Sequence, residues 1–127
     1  MFLFVKMVAL LCLFTTLVAA YHVDVTIINS LEGKEDLTIH CRSSDDDLGK
    51  HLLRANQTFT WGFGANFFGG TKFICSFQWN NNPLLYFYGY FQKRDSYFKD
   101  CRWYIRKDGP CRRRTPVFDR CFSWIKK

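Results

Sequence analysis

An alternation of apolar and polar residues at period two constrains the fold more than any other feature of the sequence. In residues 71–79, one face carries Phe73, Cys75, Phe77 and Trp79, with mostly polar residues between them. This alternation is typical of a strand with one buried face. Further strands, separated by short polar turns, are predicted at residues 22–29, 37–41, 58–63, 84–91, 101–106 and 121–125. We therefore predict an all-β fold, a small antiparallel β-sandwich of about seven or eight strands held by disulfides. The side chains expected to be largely buried in its core are Trp61, Phe63, Phe73, Phe77, Trp79, Trp103 and Trp124.

The composition agrees with one compact domain. The chain has 127 residues, of which 48% are hydrophobic and 19% are aromatic, so it can bury a core and favours strands. A TIM barrel or a two-domain enzyme needs a longer chain. Neither glycine-rich nucleotide motif, G-x-G-x-x-G or G-x-x-x-x-G-K-[ST], occurs in the sequence.

Residues 1–20 have the organisation of a secretory signal peptide. Lys6 precedes an apolar run at 7–14, and small residues precede a cleavage site before Tyr21. A membrane anchor is the alternative, but spanning a bilayer takes about 20 apolar residues, and this run is shorter. We predict a signal peptide at 1–20, one β-sandwich domain at 21–127, an extracellular protein, and no transmembrane segment after signal removal.

If the protein is exported, an N-glycosylation motif can be modified and its cysteines can form disulfides. Asn56 begins the sequence Asn-Gln-Thr in a turn-like context, so we predict an N-linked glycan there. An oxidising compartment favours disulfides among the five cysteines that remain, Cys41, Cys75, Cys101, Cys111 and Cys121. Their spacings of 34, 26, 10 and 10 residues lack the close pairs that zinc sites use. Spacing alone leaves the pairing open.

Charge is concentrated in the last quarter of the chain. Residues 21–100 hold 8 basic and 9 acidic side chains, whereas residues 101–127 hold 9 basic and 2 acidic ones. Such a basic segment indicates either a surface for an acidic partner or a solvated loop. At its centre stand Arg112, Arg113 and Arg114, of which at least two are expected to be exposed, because successive side chains of an extended segment point to opposite faces.

Two loops are the candidates for recognition. One is acidic, at residues 43–49, and contains Asp45, Asp46 and Asp47. Its carboxylates lack the alternating spacing of a calcium loop, and turn and cap roles are the simpler explanation for them. The other is basic, at residues 107–114, and its arginines could bind anionic groups.

The sequence contains no set of residues typical of an active site. A ribonuclease would need two histidines and a cation near one phosphate, but nothing places His22, His40 or His51 side by side. The nucleophile-elbow motif G-x-S-x-G and the zinc motif H-E-x-x-H do not occur. We predict a protein that is not an enzyme and has no catalytic, cofactor or metal site.

A series of motifs resembles the plant self-incompatibility S1 family, the S-protein homologues. The motifs follow the family's order from about residue 25 to residue 124, nearly the whole chain after the signal peptide. They are His40-Cys41-Arg42-Ser43, Asp45-Asp46-Asp47-Leu48-Gly49, Trp61-Gly62-Phe63, Asn66-Phe67-Phe68-Gly69, Thr71-Lys72-Phe73-Ile74-Cys75-Ser76-Phe77-Gln78-Trp79, Lys93-Arg94-Asp95, Cys101-Arg102-Trp103, Gly109-Pro110-Cys111 and Cys121-Phe122-Ser123-Trp124.

The resemblance implies a small secreted plant protein with a disulfide-bonded β-sandwich. In poppies, stigma members of the family act as ligands of a pollen receptor. We therefore predict a non-enzymatic signalling or recognition protein that is monomeric and binds a cell-surface receptor protein but no nucleic acid. The alternative is a secreted basic defence protein that acts on membranes or cell walls through the last quarter of the chain.

The resemblance also bears on the disulfides. The family's four regular cysteines correspond to Cys41, Cys75, Cys101 and Cys121. It thus implies two bridges among these four, for which we predict the pairs Cys41–Cys121 and Cys75–Cys101. Cys111 is then expected to be the unpaired thiol, because residues 96–100 lack the extra cysteine that often accompanies it in the family.

Overall fold

A computed structural model describes residues 20–66, 70–96, 98–113 and 119–125. The predicted signal peptide lies outside the described residues except for Ala20, and it stays a prediction. Arg114 and the motif residues Phe67, Phe68 and Gly69 also lie outside them.

The described chain forms two stacked sheets with a single helical turn. Its elements are β1 (Ala20–Asn29), β2 (Leu37–Arg42), β3 (Asp47–Leu53), β4 (Thr58–Asn66), β5 (Lys72–Gln78), β6 (Leu85–Phe91), α1 (Gln92–Asp95), β7 (Asp100–Arg106), β8 (Gly109–Arg113) and β9 (Asp119–Cys121). A five-stranded sheet has the order β4-β1-β7-β8-β9, and a four-stranded sheet has the order β3-β2-β5-β6. The predicted β-sandwich is confirmed, with nine strands in the described residues.

One strand pair departs from the antiparallel prediction. β1 and β7 are parallel neighbours, with Asp24 opposite Asp100 and Asn29 opposite Ile105. Parallel neighbours need a long crossover connection. Here the crossover contains β4, which returns to the five-stranded sheet, and all four strands of the other sheet.

Two strands lie where the sequence predicted loops. β3 begins at Asp47, inside the predicted acidic loop, and β8 covers most of the predicted basic loop. β3 is an edge strand with largely exposed side chains, so its alternation is weak. β8 begins Gly109-Pro110, and both residue types are disfavoured inside strands.

The facing surfaces of the two sheets form an aromatic core. Trp61, Phe73, Phe77, Trp79 and Trp103 are buried, as the alternation predicted. Phe63 and Trp124, predicted to be largely buried, are partly buried and pack against the same cluster. The indole of Trp103 is fully enclosed, and its Nε1–H donates to the carbonyl oxygen of Gly89 at 2.8 Å.

The predicted disulfide pairing is wrong. The structure joins Cys41 to Cys75 and Cys111 to Cys121, and it leaves Cys101 as a buried free thiol. Each bridge links residues directly opposite each other on neighbouring strands of one sheet, with the Cα atoms 4.0 Å apart in both pairs. Cys101 lies opposite Val25 of β1, so no cysteine stands across from it, and Cys111 is bonded rather than free.

The chain after β9 crosses from one sheet to the other. The Phe122 N–H donates to the Pro110 carbonyl of β8 at 2.9 Å, and the Ile125 N–H donates to the Tyr86 carbonyl of β6 at 2.9 Å. The aromatic rings of Phe122 and Trp124 pack against the core. Gly109 has a φ of 149°, and a side chain there would collide with the carbonyl oxygen of Phe122. This C-terminal strap, residues 122–125, therefore takes the place of the strand predicted at 121–125.

Trp103 tests the packing of the core. We expect Trp103→Ala to lower the free energy of unfolding by about 3–5 kcal/mol, because it removes an enclosed ring and leaves a cavity. Chemical denaturation followed by circular dichroism measures the change. A loss below about 1 kcal/mol, typical of a surface position, would contradict the burial of this ring.

Cys101 tests the pairing. Burial, together with the nearby charge of Asp95, raises the pKa of the Cys101 thiol to about 12, so the thiol stays protonated and unreactive at neutral pH. We expect iodoacetamide to label Cys101 only after denaturation. Non-reducing peptide mapping should then show the Cys41–Cys75 and Cys111–Cys121 peptides, and a bridge that contains Cys101 would contradict the structure.

Candidate functional site

The acidic loop is a tight turn with two outward carboxylates. The Ser43 N–H donates to the Asp46 carbonyl at 2.8 Å, and the Ser43 hydroxyl oxygen accepts the N–H groups of Asp45 and Asp46. The side chains of Asp45 and Asp46 are exposed. Both residues line a surface cavity of about 510 Å³ that also includes Lys72.

Asp47 has a different role from its two neighbours. Its carboxylate accepts the N–H of Gly49 at 2.9 Å and lies 2.6 Å from His40 Nε2. These contacts lower the pKa of Asp47, and the hydrogen bond from the Gly49 N–H has the largest effect. Asp47 therefore closes the turn between β2 and β3.

The basic segment begins with a lysine bound to the β1–β2 loop. The Lys107 N–H donates to Glu32 Oε1 at 3.0 Å, and Lys107 Nζ lies 3.0 Å from Glu35 Oε2. Glu35 precedes the start of β2, whereas the acidic loop follows its end. The two candidate loops thus lie about a strand length apart, roughly 17 Å for six residues, and do not form one site.

Arg112, one of the predicted recognition residues, is buried. Its side chain is 11% exposed, and its Nη1 lies 2.8 Å from the Oδ1 of Asp95, which is itself fully buried. Arg94 Nε donates to the same Oδ1 at 2.7 Å, and Asp95 Oδ2 accepts the Phe91 N–H at 2.9 Å. Arg94, Asp95 and Arg112 form a buried ion cluster, because alternation along β8 turns Arg112 inward.

Aromatic rings enclose this ion cluster. The Cζ atoms of Arg94 and Arg112 lie 4.7 and 5.0 Å from the centroid of Trp103. Phe98 lies over Arg112, with 4.3 Å between the ring centroid and Cζ. Guanidinium groups over aromatic faces gain a cation–π attraction that strengthens when water is excluded. The alternation of strands could have indicated that one arginine of the run points inward, but no sequence signal links Arg112 to Asp95.

The outer face of the five-stranded sheet carries three other arginines of the basic segment. Arg102 lies 3.4 Å from Asp100, and Arg106 lies 2.8 Å from Asp119. Arg113, a predicted recognition residue, is 63% exposed and lies 3.8 Å from the same Asp119. Nearby carboxylates thus offset much of the charge on this arginine face, which we define as Arg102, Arg106 and Arg113.

The outer face of the four-stranded sheet carries a groove that the sequence analysis missed. Lys50, His40, Ser76 and Tyr86 stand side by side across its four strands. Together with Arg42, Leu84 and neighbouring residues they line a cavity of about 230 Å³. This outer groove has cations on its β2–β3 side and apolar side chains on its β6 side. Alternation in residues 71–79 placed Ser76 on the polar face, but the strand with Lys50 was not predicted, and only the strand order brings the row together.

The three histidines lie in separate environments. His22 pairs with Asp24 at 2.9 Å, and His40 pairs with Asp47. His51 Nε2 lies 2.8 Å from the Leu48 carbonyl oxygen, and the His51 ring stacks on Phe59 with 4.0 Å between centroids. In the part of the chain that the structure describes, no three His, Cys, Asp or Glu side chains converge as a metal site would require.

Asn56 stands in the turn between β3 and β4. Its side chain is exposed, its φ is 67°, and its N–H donates to the Asn29 carbonyl at 2.9 Å. An exposed asparagine in a turn is open to modification, and the glycan stays a prediction. Within the described residues, no helix has the length and apolarity needed to cross a bilayer.

Comparison with known proteins gives the family. The family model described as plant self-incompatibility protein S1 matches residues 24–124. S-protein homolog 29 of Arabidopsis thaliana is 43% identical over 103 residues, which are 79% of this chain and 76% of that protein. Self-incompatibility protein S1 of Papaver rhoeas is 33% identical over 90 residues, 68% of this chain and 65% of that protein. No solved structure gives a significant match. The chain therefore belongs to the plant self-incompatibility protein S1 family.

Proposed function

We propose that this protein is a secreted, non-enzymatic ligand that binds a receptor protein on a plant cell surface. The observation that carries the proposal is the similarity to self-incompatibility protein S1 of Papaver rhoeas, which extends over 68% of the chain. That relative's name describes a role in self-incompatibility. The proposal also includes removal of residues 1–20 as a signal peptide, a glycan on Asn56, and action as a monomer.

The geometry supports binding rather than catalysis. Two buried ionisable groups are unsuited to catalysis. Asp95 is neutralised by two guanidinium groups, and the pKa of the Cys101 thiol is raised. Nucleophiles of enzymes instead have a lowered pKa or an adjacent base. The exposed charges lie on loops and on the outer faces of a rigid, disulfide-bonded sandwich, where a partner can reach them.

A basic defence protein that acts directly on membranes or cell walls is the second candidate. The observation in its favour is the charge of residues 101–127, with 9 basic and 2 acidic side chains. Against it, Arg112 is buried, and each residue of the arginine face lies within 4 Å of a carboxylate oxygen. Five of these nine basic side chains, with Lys107 included, are therefore already paired with carboxylates in the described residues.

Binding to two kinds of membrane separates the candidates. The labelled mature protein is added to plant plasma-membrane vesicles and to protein-free vesicles of anionic lipid, at low and at high salt. We expect saturable binding to the plasma-membrane vesicles that persists at high salt, because shape-specific contacts are screened less than exposed charges. Protease treatment of those vesicles should abolish it.

A matched variant sharpens this test. Arg102→Gln with Arg113→Gln removes two exposed charges of the arginine face and leaves the buried ion cluster intact. Receptor binding should change less than about twofold, because each guanidinium is already beside a carboxylate and exposed pairs contribute little. The defence protein would instead be supported if the parent bound the protein-free vesicles as tightly as the plasma-membrane vesicles. That binding should then be lost in this variant and at high salt.

A further inference from the structure

We infer that the outer groove is a binding site for an acidic polysaccharide, one whose sugar rings carry carboxylates. The inference goes beyond the proposed function and does not depend on it, because it concerns the face of the four-stranded sheet and a ligand that is not a receptor protein. It rests on the charge, shape and backbone pairing of that face.

The charge of the groove favours an anion. Arg42 and Lys50 are exposed, and neither forms an ion pair within the described part of the chain. This distinguishes them from the arginine face on the opposite sheet. The carboxylate of Asp47 stands opposite Arg42 at the rim and is influenced by its charge, but its hydrogen bonds are made with the Gly49 N–H and His40. A guanidinium and an ammonium are thus available for carboxylates, which arginine binds in a bidentate fork.

The shape of the groove favours a ring with one polar edge and one apolar face. The row from Lys50 to Tyr86 crosses four strands, or about 14 Å at the usual strand spacing. The small side chain of Ser76 lies within that row, between the cationic side and the side formed by Tyr86 and Leu84, which is 47% exposed. A pyranose with a carboxylate presents an anion to the first side and its apolar C–H face to the second.

The volume and the backbone pairing favour a polysaccharide over a small molecule or a peptide. The cavity of about 230 Å³ is below the roughly 300–1,000 Å³ of small-molecule pockets, so it suits one unit of a chain that continues across the sheet. β2 and β5 are inner strands with neighbours on both sides. Their ladders leave no free edge for an added strand, which is how extended peptides commonly bind to sheets.

Titration with defined oligosaccharides tests the inference. The purified protein is titrated calorimetrically with de-esterified oligogalacturonate, with the same oligomer fully methyl-esterified, and with polyglutamate of similar length, at one physiological ionic strength. We expect the de-esterified oligomer to bind at least about tenfold more tightly than either of the others, because charge-assisted hydrogen bonds and ring contacts must act together.

Two variants with the same change in net charge complete the test. Arg42→Gln with Lys50→Gln should weaken binding at least about tenfold, whereas Arg102→Gln with Arg113→Gln should change it less than about twofold. Unchanged melting temperatures show that both variants fold. The inference is overturned if the parent protein does not bind the de-esterified oligomer, if polyglutamate binds as tightly, or if both variants weaken binding equally.

Discussion

The fold depends on one carboxylate that water does not reach. Asp95 ends the helical turn after β6, and its oxygens receive Arg94 from the same turn, Arg112 from β8 and the N–H of Phe91. A buried charge without partners is costly, so these groups can be enclosed only together. Through them the last strand of the four-stranded sheet is fixed to β8 of the five-stranded sheet. Trp103, whose ring lies close to both guanidinium groups, joins the cluster to the aromatic core.

This constraint explains how a basic chain distributes its charge. Arg112 of the arginine run lies in the interior, and the arginine face of the same sheet lies beside Asp100 and Asp119. Arg42 and Lys50, which are exposed and form no ion pair within 4 Å in the described residues, stand on the opposite sheet, which belongs to the part of the sequence with nearly balanced charge. Net charge per segment is therefore a poor guide to where this protein can bind an anion, because the fold decides which charges are paired.

Alternation along the sequence was enough to predict the sandwich and its buried aromatic residues. It could not predict the disulfides, because pairing depends on register: Cys75 stands opposite Cys41, and Cys101 stands opposite Val25. β8 was missed because Gly109 and Pro110 belong to residue types that are disfavoured inside strands. The outer groove was missed because its row of side chains comes from four strands, and their order is a property of the fold rather than of any segment.

The central claim, that Asp95 and Arg112 form one interior interaction, is tested most directly by a double-mutant cycle. Free energies of unfolding are measured by chemical denaturation for the parent, Asp95→Asn, Arg112→Met and the double variant, with disulfides intact. The account predicts that the two losses are not additive and that the double variant is more stable than their sum implies by about 1–3 kcal/mol. Losses that add within about 0.5 kcal/mol, as for independent sites, would contradict it.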